Sequence, residues 1–293
     1  MTPRVSVVVP SYNNARFIEA TLDSVLAQTF TDFELVVADH SSTDDTWMLL
    51  QRYSDDPRVR LLVTPAGGGA ERNWNRVTDA ATGELVKLVC GDDILYPEML
   101  ARQVEAFDTF DVQPTTVPGP QGLVAMAASP RDIVDASGRS VVRNLGLGGL
   151  KGRVSGRVAL RRSVLAGANI FGEPCCVLLR ASVLRTIGGW HGSPGFMIDQ
   201  ATYCRALLHG DLVSTPGPLA AFRLSNTQLS VQLAKEQAQS AAEMHRQLAA
   251  MSPGLLSTAD VRRGNAMAGV RAAQRRLLYM YLGRRMGRPA GTV

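Results

Sequence analysis

Two adjacent carboxylates, Asp92 and Asp93, close a short apolar run that starts at Leu85, and Pro97 follows where a helix would begin. Valine and leucine in the run predict a buried strand, and a proline in the first helical position marks a helix start. The pair therefore belongs just past the carboxyl end of a strand, where open α/β sheets bind ligands. Two carboxylates held side by side repel each other unless a positive charge neutralises them. A divalent cation carrying a phosphate ligand meets that need. The competing reading makes Asp92 and Asp93 caps of the helix at Pro97.

Such a pair needs a sheet to hold it. Val5 to Pro10 is a β-branched run closed by a proline and reads as a central strand. Phe17, Ile18, Thr21, Leu22, Val25 and Leu26 follow at helical spacing. Phe33 to Ala38, Val59 to Val63 and Leu85 to Val89 are further strands, with helices through Trp47–Tyr53 and Ala70–Ala81 between them. This alternation predicts an α/β fold with a doubly wound, mostly parallel sheet flanked by helices. Beyond Phe110 come a proline-rich loop at 114–122 and strands at 123–128 and 133–142, the second bent at Asp135–Gly138. A mobile glycine-rich stretch spans Gly146–Gly152, and a helix follows at 158–165. A strand at 177–179, a helix at 201–208 and a strand at 219–224 precede helices at 233–248 and 259–282, the last weakened at Gly264 and Gly269. The expected organisation is a nucleotide-binding half at 1–112, an acceptor-binding and catalytic half of the same domain at 113–232, and a helical, arginine-rich extension at 233–293.

At 293 residues, 45% hydrophobic and 19% charged, the chain can bury a large single core. No run reaches transmembrane length, and Met-Thr-Pro-Arg lacks a signal-peptide layout. Cys90, Cys175, Cys176 and Cys204 form neither a disulfide framework nor a metal-type spacing, which points to a reduced, cytoplasmic compartment. The net charge of +5 is uneven: eight arginines and no acid follow Asp260, so the tail carries +8 and the rest −3. Val270, Ala273, Leu277, Met280 and Tyr281 share one side of that tail. It reads either as a helix on an anionic membrane surface, placing the protein on the inner face of the cell membrane, or as a packed helix with a solvated basic face. No aromatic-studded basic groove suggests nucleic acid.

Val5–Asn13 (Val-Ser-Val-Val-Val-Pro-Ser-Tyr-Asn), Gln28–Leu35, Asp39–Thr46 (Asp-His-Ser-Ser-Thr-Asp-Asp-Thr), Arg72-Asn73, Gly83-Glu84 and Gly91-Asp92-Asp93 together resemble glycosyltransferase family 2. Ile198-Asp199 with Arg205, and Leu219–Arg223, resemble its later motifs more loosely. The resemblance implies a GT-A fold, a nucleoside-diphosphate sugar donor, Mg2+ or Mn2+, and inversion at the anomeric carbon. It implies that Asp93 binds the metal, that Asp92 binds the ribose or shares the metal, and that Asp39 accepts the imide N–H of a uracil or thymine base. Pro10, Ser11 and Tyr12 would wall the base, and Arg72 would meet phosphate or base. The acceptor would be a hydroxyl of a glycan, glycolipid or metabolite. Cys90 and Ser225 stand where many relatives carry an acid and a histidine, which shortens the metal's ligand set.

Inversion in one step needs a base across the sugar from the leaving group. Asp199, between Met197-Ile198 and a helix, fits by position, and a partly apolar pocket gives a carboxylate the raised pKa a base needs. Capping that helix is its other reading. Glu173, on a glycine–proline turn, is the alternative base. Asp39 also reads as a turn former. Gly67-Gly68-Gly69 lacks the Lys-Ser/Thr ending of a P-loop and reads as a turn. His191 and His209 stand isolated. Two competitors are a nucleotidyltransferase, disfavoured by the Ser11–Asn14 turn, and a degenerate nucleotide-sugar binder or membrane scaffold without transferase activity.

Overall fold

The computed structural model describes residues 2–111, 122–192, 197–225 and 237–286. The expected boundaries near 112 and 232 and the proline-rich stretch at 112–121 lie outside the described residues, as do residues 233–236 of the expected helix.

In the first half, β1 (Val5–Ser11), α1 (Ile18–Leu26), β2 (Phe33–Asp39), α2 (Thr46–Gln51), β3 (Val59–Val63), α3 (Gly69–Asp79) and β4 (Leu85–Leu88) alternate. All seven residues of β1 are buried, as a Val-rich central strand with covered faces requires. Next come β5 (Ile94–Leu95), α4 (Met99–Phe110), β6 (Val124–Ala128), β7 (Arg131–Asp135), β8 (Ser140–Leu145), β9 (Gly152–Val154), α5 (Gly156–Ala166), β10 (Val177–Arg180), α6 (Ala181–Thr186), α7 (Ile198–Ala206), β11 (Asp211–Ser214) and β12 (Ala220–Leu224). Two helices, α8 (Gln237–Met251) and α9 (Thr258–Met286), complete the described chain.

The main sheet has eight strands in the order β3-β2-β1-β4-β10-β6-β11-β9. Its first four strands are parallel, β10 runs against both neighbours, and β11 is parallel to β6. A second sheet, β5-β12-β7-β8, stands beside it. It pairs the residues just after Asp93 with the closing strand, Ile94 opposite Ala221.

Several expectations change. The bent strand at 133–142 is a hairpin: Asp135 Oδ1 accepts from Ser137 N, Ser137 Oγ and Arg139 N, and Gly138 takes φ +83°, so the chain reverses there. Pro97 does not open a helix; α4 begins at Met99, and the Pro97 carbonyl accepts the Thr29 N–H at 2.9 Å. The stretch at 146–152 holds a 3-10 turn and leads into the edge strand β9, which pairs with β11. Strands β5, β9 and β11 and helix α6 were too short to show a period.

Helix α9 runs unbroken through Gly264 and Gly269. Gly264 is needed for packing: a Cβ there would meet Val164 O at 2.6 Å. The helix lies on α5 and α8. Its outward side leaves Val270, Leu277 and Met280 exposed, so the packed reading holds for one face and an apolar row remains on the other. Among the described residues no helix is long and apolar enough to cross a membrane. All four cysteines are free thiols, and all but Cys90 are buried.

A fully buried lysine interrupts the core. Lys87, in β4, donates to Gln103 Oε1 at 2.9 Å and Val177 O at 3.3 Å, which ties β4 to α4 and β10. Burial pushes its ammonium down to about 8.

Candidate active site

Strands β1 and β2 pair in parallel with Ser11 opposite Asp39, so both residues end their strands at the same edge. Asn73, on α3, fastens those ends: its Nδ2 donates to Ser11 O at 3.3 Å and Ala38 O at 3.1 Å, and its Oδ1 accepts from Thr64 Oγ1 at 2.7 Å. Asp39 accepts from the Ser42 hydroxyl at 2.5 Å and the Ser42 N–H at 3.0 Å, so it does form the turn. Each of its oxygens keeps a further lone pair. Pro10 and Ser11 are buried, whereas Tyr12 stands 57% exposed, edge-on to the His40 ring with centroids 6.1 Å apart. A planar group could stack on that ring.

The Gly67-Gly68-Gly69 turn has three successive positive φ angles, +90°, +78° and +64°, and opens α3. The Gly67 carbonyl receives His40 Nε2 at 2.9 Å and Arg72 Nη1 at 3.4 Å. The turn is thus tied down by two side chains. Arg72 is exposed and lines a cleft of about 580 Å3 with Thr64, Pro65, Asn75 and Arg76. That cleft adjoins Asp39, whose carbonyl accepts the Thr64 N–H at 2.7 Å.

Asp92 and Asp93 follow β4 and precede β5. The chain there is braced by Asn14: a Cβ on Gly91 would meet Asn14 Oδ1 at 2.6 Å, and that oxygen accepts from Ser11 Oγ and Tyr12 N. Neither aspartate caps α4, which has no side-chain cap. Asp93 is fully buried. Its Oδ1 accepts the Arg223 N–H at 3.1 Å, while its Oδ2 is buried with no hydrogen-bond partner. Burial, then the neighbouring Asp92 charge, pushes the Asp93 carboxyl well above the ordinary carboxylate range. Arg223 donates from Nε to Asp92 O at 3.0 Å, and its guanidinium carbon lies 4.8 Å from the centre of the Phe17 ring.

Asp199 sits in the first turn of α7. It does not cap that helix; Met197 holds the cap position. Asn169 Nδ2 donates to Asp199 Oδ2 at 2.8 Å, and the Gln200 N–H to Oδ1 at 2.7 Å. Burial raises the Asp199 carboxyl to about 6, the Gln200 and Asn169 donors and Arg275 pull against that rise, and Glu173 adds to it. Glu173 is otherwise engaged. The buried Arg131 holds it at 2.6 Å and 3.0 Å, and Glu173 keeps that guanidinium charged against the cost of burial.

The two sides meet around Cys90. Burial, then Asp93, Asp92, Asp199 and Glu173 in turn, push its thiol well above the ordinary range. His191 and His209 stand apart, His191 bound to the Ile187 carbonyl and His209 exposed. Ser225, at the position where many family members carry a histidine, is buried. Among the described residues no three His, Cys, Asp or Glu side chains are placed to hold a metal ion together.

Sequence reasoning missed Asn73, His40, Arg131, Asn169 and Arg275. Asn73 and His40 lie inside the family-like motifs, and all of these residues act through partners that are distant in sequence.

The family model described as "Glycosyl transferase family 2" matches residues 6–188. An uncharacterised Mycobacterium tuberculosis protein is 30% identical over 230 residues, covering 75% of this chain and 67% of its own. The Escherichia coli UDP-Glc:alpha-D-GlcNAc-diphosphoundecaprenol beta-1,3-glucosyltransferase WfgD is 35% identical over 100 residues, 34% of this chain and 39% of its own length. Crystal structures of Staphylococcus aureus TarS 1–349 with UDP-GlcNAc (TM-score 0.66, 20% identity, covering 92% of this chain and 71% of that one) and of the Pyrobaculum calidifontis mannosyltransferase PcManGT with GDP-Man and Mn2+ (TM-score 0.60, 18% identity, 96% and 81%) share the fold. The strand–helix alternation, the two-sheet layout and these matches together show a GT-A fold, and the chain belongs to glycosyltransferase family 2.

Proposed function

We propose that the chain transfers a sugar from a nucleoside-diphosphate donor, UDP- or dTDP-linked, to an acceptor hydroxyl, with inversion at the anomeric carbon. The observation that carries this is the buried Asp93 Oδ2 beside Asp92, which has no hydrogen-bond partner among the described residues. Relatives whose names or bound ligands include UDP-Glc, UDP-GlcNAc and UDP support the donor class.

The residues fit a hard divalent cation. Two carboxylates supply oxygen ligands, one oxygen lacks any other partner, and a cation would relieve the repulsion that raises Asp93. Asp93, with Asp92 beside it, would hold Mg2+ or Mn2+, and the donor's phosphates would complete a protein ligand set of only two. Bound there, the ion supplies Lewis-acid neutralisation of the departing diphosphate.

The chain's own groups do the rest. Asp39 turns a free lone pair to the base's imide N–H, and the exposed Tyr12 ring stacks on the base. Asp92 meets the ribose, and Arg72 reaches the donor from the adjoining cleft. Asp199 takes the proton of the acceptor hydroxyl on a carboxylate oxygen that Asn169 and Gln200 orient. Arg131 holds Glu173 in an ion pair, and Asp199 acts as the base. No protein nucleophile is required.

A thermal-shift screen of nucleotide sugars with and without Mn2+ tests the binding side. Binding to the folded state alone raises stability by mass action, about 2.7 kcal/mol at a ligand concentration of 100 Kd. Uridine or thymidine donors should raise Tm more in the presence of Mn2+ than in its absence. No shift with any nucleotide sugar would contradict the reading.

A further inference from the structure

We propose that the outward face of α9 docks the protein on an anionic lipid bilayer, with Val270, Leu277 and Met280 seated among the lipid headgroups and the arginines beside them on lipid phosphates. The proposal is independent of the chemistry assigned to the active site.

Packing builds the face. Gly264, Ala268 and Ala272 recur every four residues and are buried against the body of the protein. They seat α9 on α5 and α8, so closely that a Cβ on Gly264 would meet Val164 O at 2.6 Å. Near the start of the helix, Arg161 of α5 holds both oxygens of Asp260, at 2.7 Å and 3.1 Å, and Asp260 Oδ2 also accepts the Ser257 N–H at 3.0 Å. With one side fixed in this way, the opposite side is presented outward before any partner arrives. Ala266, Val270, Ala273, Leu277 and Met280 follow one another there in steps of four and three. At 3.6 residues per turn they share an arc of about 80° and run for about 21 Å. All of them are exposed, Val270 by 47%, Leu277 by 64% and Met280 by 71%. Single exposed apolar side chains are ordinary, but a row of them along one face marks an interaction site.

Charge decides what covers the row. By helical register Arg263 and Arg271 lie along one edge of it and Arg276 along the other, and all three are exposed. Eight arginines and no acid follow Asp260. The spacing of four and three would also suit a coiled-coil seam with a second copy. Two such helices, however, would set arginine against arginine with no acid on either to pair it. A protein groove envelops the amphipathic helix it binds, and α5 and α8 already take the inward side of this one. A bilayer asks only for an apolar stripe with cations along its edges, and anionic headgroups complement the arginines. The helix would lie in the surface, since among the described residues none is long and apolar enough to cross.

Flotation of the full chain with lipid vesicles, with neither donor nor acceptor present, tests this. Phosphatidylcholine vesicles containing one-third phosphatidylglycerol should bind at least about tenfold more tightly than phosphatidylcholine alone. Raising the salt from about 0.1 M to about 1 M, which shortens the Debye length from about 10 Å to about 3 Å, should weaken that binding. Leu277→Asp combined with Met280→Asp should lower the affinity by about tenfold or more, with Tm unchanged because both side chains already face water. Arg263→Gln combined with Arg271→Gln should weaken binding to the anionic vesicles alone, and supplies the reading if the first double variant unfolds. Met48→Asp, at an exposed residue of α2, should bind as the wild type does. Equal binding to the two vesicle types, or undiminished binding by the folded Leu277→Asp, Met280→Asp variant, overturns the proposal. A concentration-dependent dimer in sedimentation velocity without vesicle binding makes the row a seam between copies and overturns it too. None of these outcomes bears on the transferase reading.

Discussion

Asp199→Asn is expected to slow sugar transfer by roughly 10²–10⁴-fold, the usual worth of a positioned general base, while the donor's Kd stays unchanged. Asparagine is nearly isosteric, and its side-chain oxygen can still accept from Asn169 Nδ2 or the Gln200 N–H, so the pocket keeps its shape. What is lost is a carboxylate raised by burial to about 6. A base must be ionised to act. Wild-type kcat/KM should therefore climb tenfold per pH unit below about 6 and level off above it, and the variant should lose that limb. Steady-state kinetics from pH 4.5 to 8 with donor binding measured alongside decides the matter. An unimpaired rate in Asp199→Asn would move the role to another group. Glu173 is a poor successor, because Arg131 contacts both of its oxygens.

The second large effect concerns Asp93. Asp93→Asn should reduce metal-stimulated transfer by about 10²-fold or more, since a Lewis acid at a departing diphosphate is worth several kcal/mol. The same change should leave the metal-free fold as stable as wild type or make it more stable. The folded Asp93 carboxyl titrates well above its unfolded value, so the folded state binds the proton more tightly. Wild-type stability from this group is fully present below the unfolded pKa and is lost as pH rises through the folded one. At neutral pH the wild type therefore bears a charge penalty that asparagine lacks, while the Arg223 N–H keeps an acceptor. Activity titrated against Mn2+, with Tm recorded in chelator, separates the two effects. Full activity in the variant would remove Asp93 from the metal site. A collapsed Tm would make it a structural residue.

The first four strands were legible because each is a run of β-branched or leucine residues between helices of clear period. Asp39 and the Asp92–Asp93 pair were legible for the same reason: they end such runs. The second sheet was not. Strand β5 has two residues, and its pairing with β12 joins Ile94 to Ala221, a contact that no local pattern encodes. The bonds that set the site's chemistry are equally remote. Arg131 meets Glu173 across 42 positions, Asn169 meets Asp199 across 30, and Arg223 meets Asp93 across 130. Each of these residues looks ordinary in its own segment. The tail misled in another way. Gly264 reads as a helix weakness by propensity, yet its missing side chain is what lets α9 press against Val164. That contact seats part of a basic tail against α5.

The most direct test of a one-step displacement with Asp199 as base is the anomeric configuration of the product. Transfer from an α-linked nucleotide sugar labelled with 13C at the anomeric carbon can be followed by NMR, reading the one-bond C–H coupling at that carbon in the product. A β linkage is the predicted result, because a hydroxyl deprotonated across the sugar from the diphosphate attacks the opposite face. A retained α linkage would require a protein nucleophile and would contradict the account.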